Sequence, residues 1–177
     1  MKKNICITGL LNDFSEHIAE NLAKDLDVFF ANVLKFVQFD IVDISNTIEV
    51  CGVDYYKKLI SKKLKELSKY DDVIIFCNYY FYNYPECKSI LKEKLITIYL
   101  DPGEIEFNKR LENEKISDLE AKIEKGSYKV RNKYFVKNCD ILIDCSQKTE
   151  EQIVNIIKDK LIKYFSNKAG RKYENRK

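Results

Sequence analysis

The feature that most narrows the possible folds is an alternation along the chain. Short apolar runs are separated by longer stretches whose apolar residues recur every three or four positions. The short runs Ile5–Thr8, Asp72–Cys77, Leu95–Leu100 and Asp140–Asp144 read as strands, and a fifth is either Val28–Ala31 or Val37–Val42. The longer stretches predict helices over Ser15–Leu26, Asp54–Ser68, Pro85–Lys94, Glu104–Leu111, Ile116–Val136 and Glu150–Ser166. In the second of these, Tyr56, Leu59, Ile60, Leu64 and Leu67 form one apolar face, which belongs against a sheet. The expected fold is a three-layer α/β/α sandwich around a parallel sheet of five strands. Local punctuation agrees with it. Asp54 is placed as an N-cap, Pro85 in a first helical turn, and Thr149-Glu150-Glu151 as a cap followed by acidic residues.

A length of 177 residues suits one domain, expected over 1–166 with a small lid near 112–130, followed by a basic, disordered tail over 167–177. No apolar run approaches the roughly 20 residues that a membrane-spanning helix requires. The first ten residues, MKKNICITGL, carry no small-residue cleavage site, so a cytoplasmic location is expected. Cys6, Cys51, Cys77, Cys87, Cys139 and Cys145 are scattered, without a C-x-x-C pair, and read as free thiols rather than a disulfide or zinc framework. A net charge of +3 is too small to point to a nucleic-acid partner. His17, the single histidine, has no nucleophile at a suggestive spacing and reads as a residue of a helix surface.

Between the first strand and the first helix lies GLLNDFSE, residues 9–16. A phosphate-binding loop at that place has the form G-x-x-x-x-G-K-S/T. Its glycines let backbone N–H groups surround the phosphates, its lysine neutralises charge, and its hydroxyl helps to hold magnesium. Gly9 keeps the first glycine, but Phe14, Ser15 and Glu16 stand at the second glycine, the lysine and the hydroxyl. Glu16 brings negative charge to the end of the loop that should attract phosphate. Loss of a well-placed cation costs several kcal/mol of transition-state stabilisation, a rate factor on the order of thousands.

Three segments together resemble the shikimate kinase family and, more loosely, other small P-loop kinases of metabolites and nucleoside monophosphates. They are NICITGLLNDFSEHIAENLAKDLDVFF, KLITIYLDPGEIEFNKRL and KVRNKYFVKNCDILIDCSQKTEEQIVNIIKDKL. The resemblance implies a P-loop kinase fold with a helical lid. It also implies a nucleotide side at Gly9, Asn12, Ser15, Glu16 and Arg110, the last matching a residue that packs on adenine. The implied substrate side holds Asn32, Lys57, Tyr79 and Arg131. Arg131 falls where the family's substrate-carboxylate arginine lies, and Lys57 replaces a second arginine. The family's Asp-x-Asp pair is matched by Asn32 and Leu34, neither of them a carboxylate, unless Asp40 and Asp43 supply a shifted pair. Its triple-glycine turn is matched by Asn78-Tyr79-Tyr80, and its lid arginine by Ser117 or Asp118, with Lys115, Lys122 and Lys125 as the remaining lid cations.

The expected function is that of a shikimate-kinase-like protein with a degenerate loop, weak or inactive in phosphoryl transfer, which binds a small ligand or a protein partner. No metal site is expected, and no cofactor is assigned. ATP and magnesium enter only under the alternative, an active small-molecule kinase with nonstandard residues. A third reading is a nucleotide- or RNA-associated accessory protein that stacks bases on its tyrosines. Whether the tyrosines fill or line the pocket is left open by the sequence.

Overall fold

The computed structural model describes residues 4–41, 43–113 and 118–174. Five strands, β1 (Ile5–Gly9), β2 (Phe29–Asn32), β3 (Val73–Phe76), β4 (Ile96–Asp101) and β5 (Ile141–Asp144), are parallel and lie in the order β2-β3-β1-β4-β5. β1 is therefore central, with Cys6 between Ile75 and Thr97. Parallel neighbours require long crossovers. These contain α1 (Asn12–Asp25), α2 (Val33–Asp40), α3 (Ile44–Cys51), α4 (Val53–Leu67), α5 (Pro85–Lys94), α6 (Glu104–Asn113) and α7 (Asp118–Asn138), and α8 (Glu150–Glu174) closes the chain.

Successive side chains of a strand point to opposite faces, and the core divides accordingly. Ile7, Ile74, Phe76, Ile98 and Ile143 pack with Ile18 and Leu22 of α1 and with Ile153 and Ile157 of α8. Cys6, Ile75, Cys77 and Tyr99 pack on the other face with Ile60 and Leu64 of α4, Leu91 of α5 and Phe135 of α7. Each fully buried Ile or Leu contributes about 1.5–3 kcal/mol, so strands covered on both faces hold the centre rigid and present their C-terminal ends as a fixed rim.

The fifth strand is the first of the two alternatives, around Phe29–Asn32, while Val37 lies in α2. The short helices α2 and α3 were not expected. Each begins on a side-chain cap: Asn32 Oδ1 accepts from the Lys35 amide at 3.1 Å, and Asp43 Oδ1 from the Asn46 amide at 3.0 Å. Asp54 is not a cap. Gly52 precedes α4, and Asp54 sits in the first turn, 3.0 Å from Lys57. Pro85 does open α5. Before α8, Thr149 and Gln152 cap one another's amides at 3.3 and 3.0 Å. All six cysteines are free, with Cys6, Cys77, Cys87 and Cys145 buried and Cys51 exposed. Lys115, Ser117 and the side chains of Asp118, Lys122 and Lys125 lie outside the described residues, as do the side chains beyond residue 167, while the backbone expected as a disordered tail continues as helix in α8 to Glu174.

Candidate functional site

In an open α/β sheet, ligands sit at the carboxyl ends of the strands. Here that rim begins where β1 ends at Gly9. Leu10 and Leu11 turn into the core with only 5% and 8% of their surface exposed, and α1 already starts at Asn12, three residues earlier than the sequence suggests. An anion cradle needs successive amides turned into a concavity. The Ser15 amide instead donates to the Leu11 carbonyl at 2.9 Å, as the first rung of the helix. Ser15 is buried, and its hydroxyl lies over Gly9. A Cβ at residue 9 would stand 2.2 Å from Ser15 Oγ and 2.9 Å from the Leu100 carbonyl. Thus Gly9 is required by close packing, without any ligand being invoked.

The charges around this turn are matched within the protein. Glu16 stands 2.7 Å from Lys35 at the start of α2, so its carboxylate is not the bare negative charge that the sequence implied. The same contact raises the Lys35 ammonium above its ordinary pKa. Arg110, from the end of α6, lies over the Phe14 ring with its guanidinium carbon 4.8 Å from the centroid, and Glu106 holds its Nε at 3.0 Å. The arginine expected on the adenine side and the residue matched to the second glycine are therefore stacked on one another. Three side-chain oxygens buried near the turn, Thr8 Oγ1, Asn12 Oδ1 and Ser15 Oγ, have no hydrogen-bond partner among the described residues. Each such group costs about 1–3 kcal/mol.

On the substrate side, Asn32 is 95% buried and its oxygen caps α2. Leu34 packs against the core. The alternative acidic pair is engaged in structure: Asp40 meets Lys63 at 2.7 Å and Asp43 caps α3. Lys57 is held by Asp54 and lies 5.9 Å from the centre of the Tyr84 ring. After Asn78, residues Tyr79–Asn83 form a single turn of 3₁₀ helix. Its ring positions do both things the sequence left open. Phe81 and Tyr82 are buried, whereas Tyr79 and Tyr80 are half-buried at the rim. Arg131 Nη1 donates to the Tyr79 hydroxyl at 3.1 Å, with the guanidinium 5.1 Å from the ring centre.

One cluster was missed by the sequence reading. Asp101, the last residue of β4, accepts from the Tyr128 hydroxyl at 2.7 Å, from Asn132 Nδ2 at 3.1 Å and from the Gly103 amide at 2.9 Å. Burial first, and Asp101 second, push the Tyr128 hydroxyl well above its ordinary pKa. The available signal was the one-turn spacing of Tyr128 and Asn132 on a helix that passes the end of β4. His17 is exposed on α1, 3.0 Å from Glu150. Among the described residues, no group of three or more His, Cys, Asp or Glu is placed to hold a metal ion.

A five-stranded parallel sheet of this order, covered by helices on both faces, is the fold of the P-loop class. Within it the particular family follows from comparison: the shikimate kinase model matches residues 16–162, and the chain belongs to that family. The fold agrees with solved shikimate kinases. The enzyme from Bacteroides thetaiotaomicron is 13% identical with a TM-score of 0.75, covering 89% of this chain and 97% of that one. The enzyme from Acinetobacter baumannii, solved in complex with shikimate, is 15% identical with a TM-score of 0.75 and coverages of 93% and 95%. The enzyme from Aquifex aeolicus is 24% identical with a TM-score of 0.72 and coverages of 94% and 99%. No curated protein matches the chain significantly.

Proposed function

We propose that this member of the shikimate kinase family is a pseudokinase: a cytoplasmic, single-domain protein with the lid and tail boundaries described above, which binds a small molecule or a protein without transferring phosphate from ATP. The observation that carries the reading is the stack of Arg110 on Phe14 at 4.8 Å, because it sets an internal ring against the arginine that would pack on adenine. The start of α1 at Asn12 and the buried Ser15 hydroxyl over Gly9 support it, since neither leaves a loop that could wrap a phosphate. ATP and magnesium do not fit the residues present, and no step is routed through them.

Titration calorimetry with ATP, with and without magnesium, tests this reading. No saturable heat is expected up to about millimolar nucleotide, a ceiling equivalent to about 4 kcal/mol of binding. Magnesium-dependent binding in the micromolar range would overturn the proposal.

A further inference from the structure

Away from the cleft, an open groove of about 690 Å³ runs between α4 and α5. Two α4 lysines outside it are neutralised, Lys57 by Asp54 at 3.0 Å and Lys63 by Asp40 at 2.7 Å. Lys58, Lys62 and Lys65, which line the groove, are exposed, and no carboxylate stands within ion-pair distance of them among the described residues. Their four- and three-residue spacing sets them in one row along α4, about 10 Å long at 1.5 Å per residue. The α5 wall has the opposite sign near its start and again near its end. Glu86 and Glu93 are exposed there, two turns apart, and Glu93 takes only the Ser89 hydroxyl, at 2.8 Å. Lys94 adds a cation at the end of that wall, and Pro85 and Ile90 contribute apolar surface.

This division of charge selects the kind of partner. A uniformly charged polyanion such as RNA, attracted by the α4 row, would be repelled by Glu86 and Glu93. A mixed-charge helix meets both walls with complementary groups. We propose that the α4–α5 groove docks a helix of a partner protein that carries acidic residues at four- and three-residue spacing along one edge and basic residues along the other. The inference goes beyond the reading of the cleft and does not rest on it. Phe14 and Arg110 lie on other elements, so the nucleotide titration and the test below succeed or fail separately.

The probe is a helix-stabilised synthetic peptide with three glutamates spaced four and three residues apart on one edge and two lysines seven apart on the other. Fluorescence anisotropy at low salt is expected to give a Kd below about 100 μM that weakens at least threefold as salt screens the exposed charges. The variant Lys58→Glu/Lys62→Glu/Lys65→Glu changes only exposed side chains. It should lose at least tenfold in affinity and recover it with a peptide whose glutamates are replaced by lysines. Absence of binding, equal affinity for the variant, or failure of that exchange overturns the proposal. So does a single-stranded RNA oligonucleotide binding more tightly than the peptide and losing its affinity in the same variant.

Discussion

Gly9 is held to glycine by packing. A side chain there would meet the Ser15 hydroxyl and the Leu100 carbonyl. Gly9→Ala should therefore destabilise the ligand-free protein by about 1–3 kcal/mol, the usual cost of overpacking, read as a lower urea midpoint. Because the Leu100 contact is to backbone, adding Ser15→Ala should restore only part of the loss. Unchanged stability in Gly9→Ala would remove the packing account. The thiols make a second prediction at this scale. Thiolate character and access set reactivity. Cys51 is exposed, while Cys77, Cys87 and Cys145 are buried and pushed up in pKa chiefly by desolvation, Cys145 to about 12. A thiol reagent should label Cys51 within minutes in the native protein, and those three only at the rate of unfolding.

α2 is an element whose start rests on one side chain. Asn32, which the sequence comparison matches to one of the family's paired carboxylates, caps this helix with its oxygen. Asn32→Ala should cost about 0.5–2 kcal/mol, whereas Asn32→Ser, which keeps a capping oxygen without burying a charge, should be near neutral. Thermal melts of the two variants check this, and an equal loss in both would show that the oxygen is not what matters. The same element marks the limit of sequence reading. Strands buried on both faces and long amphipathic helices have strong periodic signals, so β1, β3, β4, β5, α4 and α5 were legible nearly to their ends. α2 and α3 are eight residues each, and none of the α3 residues is buried. Two turns are too short for an apolar pattern to be told from that of a strand or loop, and only their Asn and Asp caps announce them. Of the site, the sequence names only expected gaps: the loop lysine, its hydroxyl and the carboxylate pair. The contacts around those positions were not legible, because Glu16–Lys35, Arg110–Phe14 and Arg131–Tyr79 join residues 19, 96 and 52 positions apart, and such pairings exist only once the sheet has brought the elements together.

At the scale of the whole molecule, the interior holds an unusual load of hydroxyl and thiol groups for a core otherwise built from Ile and Leu. Tyr80, Tyr82, Tyr99 and Tyr128 all have their pKa raised, in each case first by burial, and Cys77 and Cys87 move the same way. The consequence for stability has a definite sign. In the unfolded chain a thiol ionises near pH 8.5 and a phenol near pH 10, while in the fold both hold their protons to higher pH. Below those unfolded values both states are protonated and the full stability is present. Above them the unfolded chain releases protons first, so stability falls as pH rises, by at most about 1.4 kcal/mol per pH unit for each group. The urea midpoint should therefore decline from about pH 8.5 and more steeply above about pH 10. Tyr99 separates this account from general alkaline damage. Its ring is fully buried, stacked on Phe135 at 4.9 Å, and its hydroxyl has no hydrogen-bond partner among the described residues. Tyr99→Phe keeps the stacking and removes an unsatisfied polar group, so it should be neutral or stabilising at pH 7 and should make the decline above about pH 10 shallower. A loss of more than about 1 kcal/mol at pH 7 would mean that the hydroxyl is satisfied in solution, and an unchanged alkaline slope would mean that its proton is not among those released on unfolding.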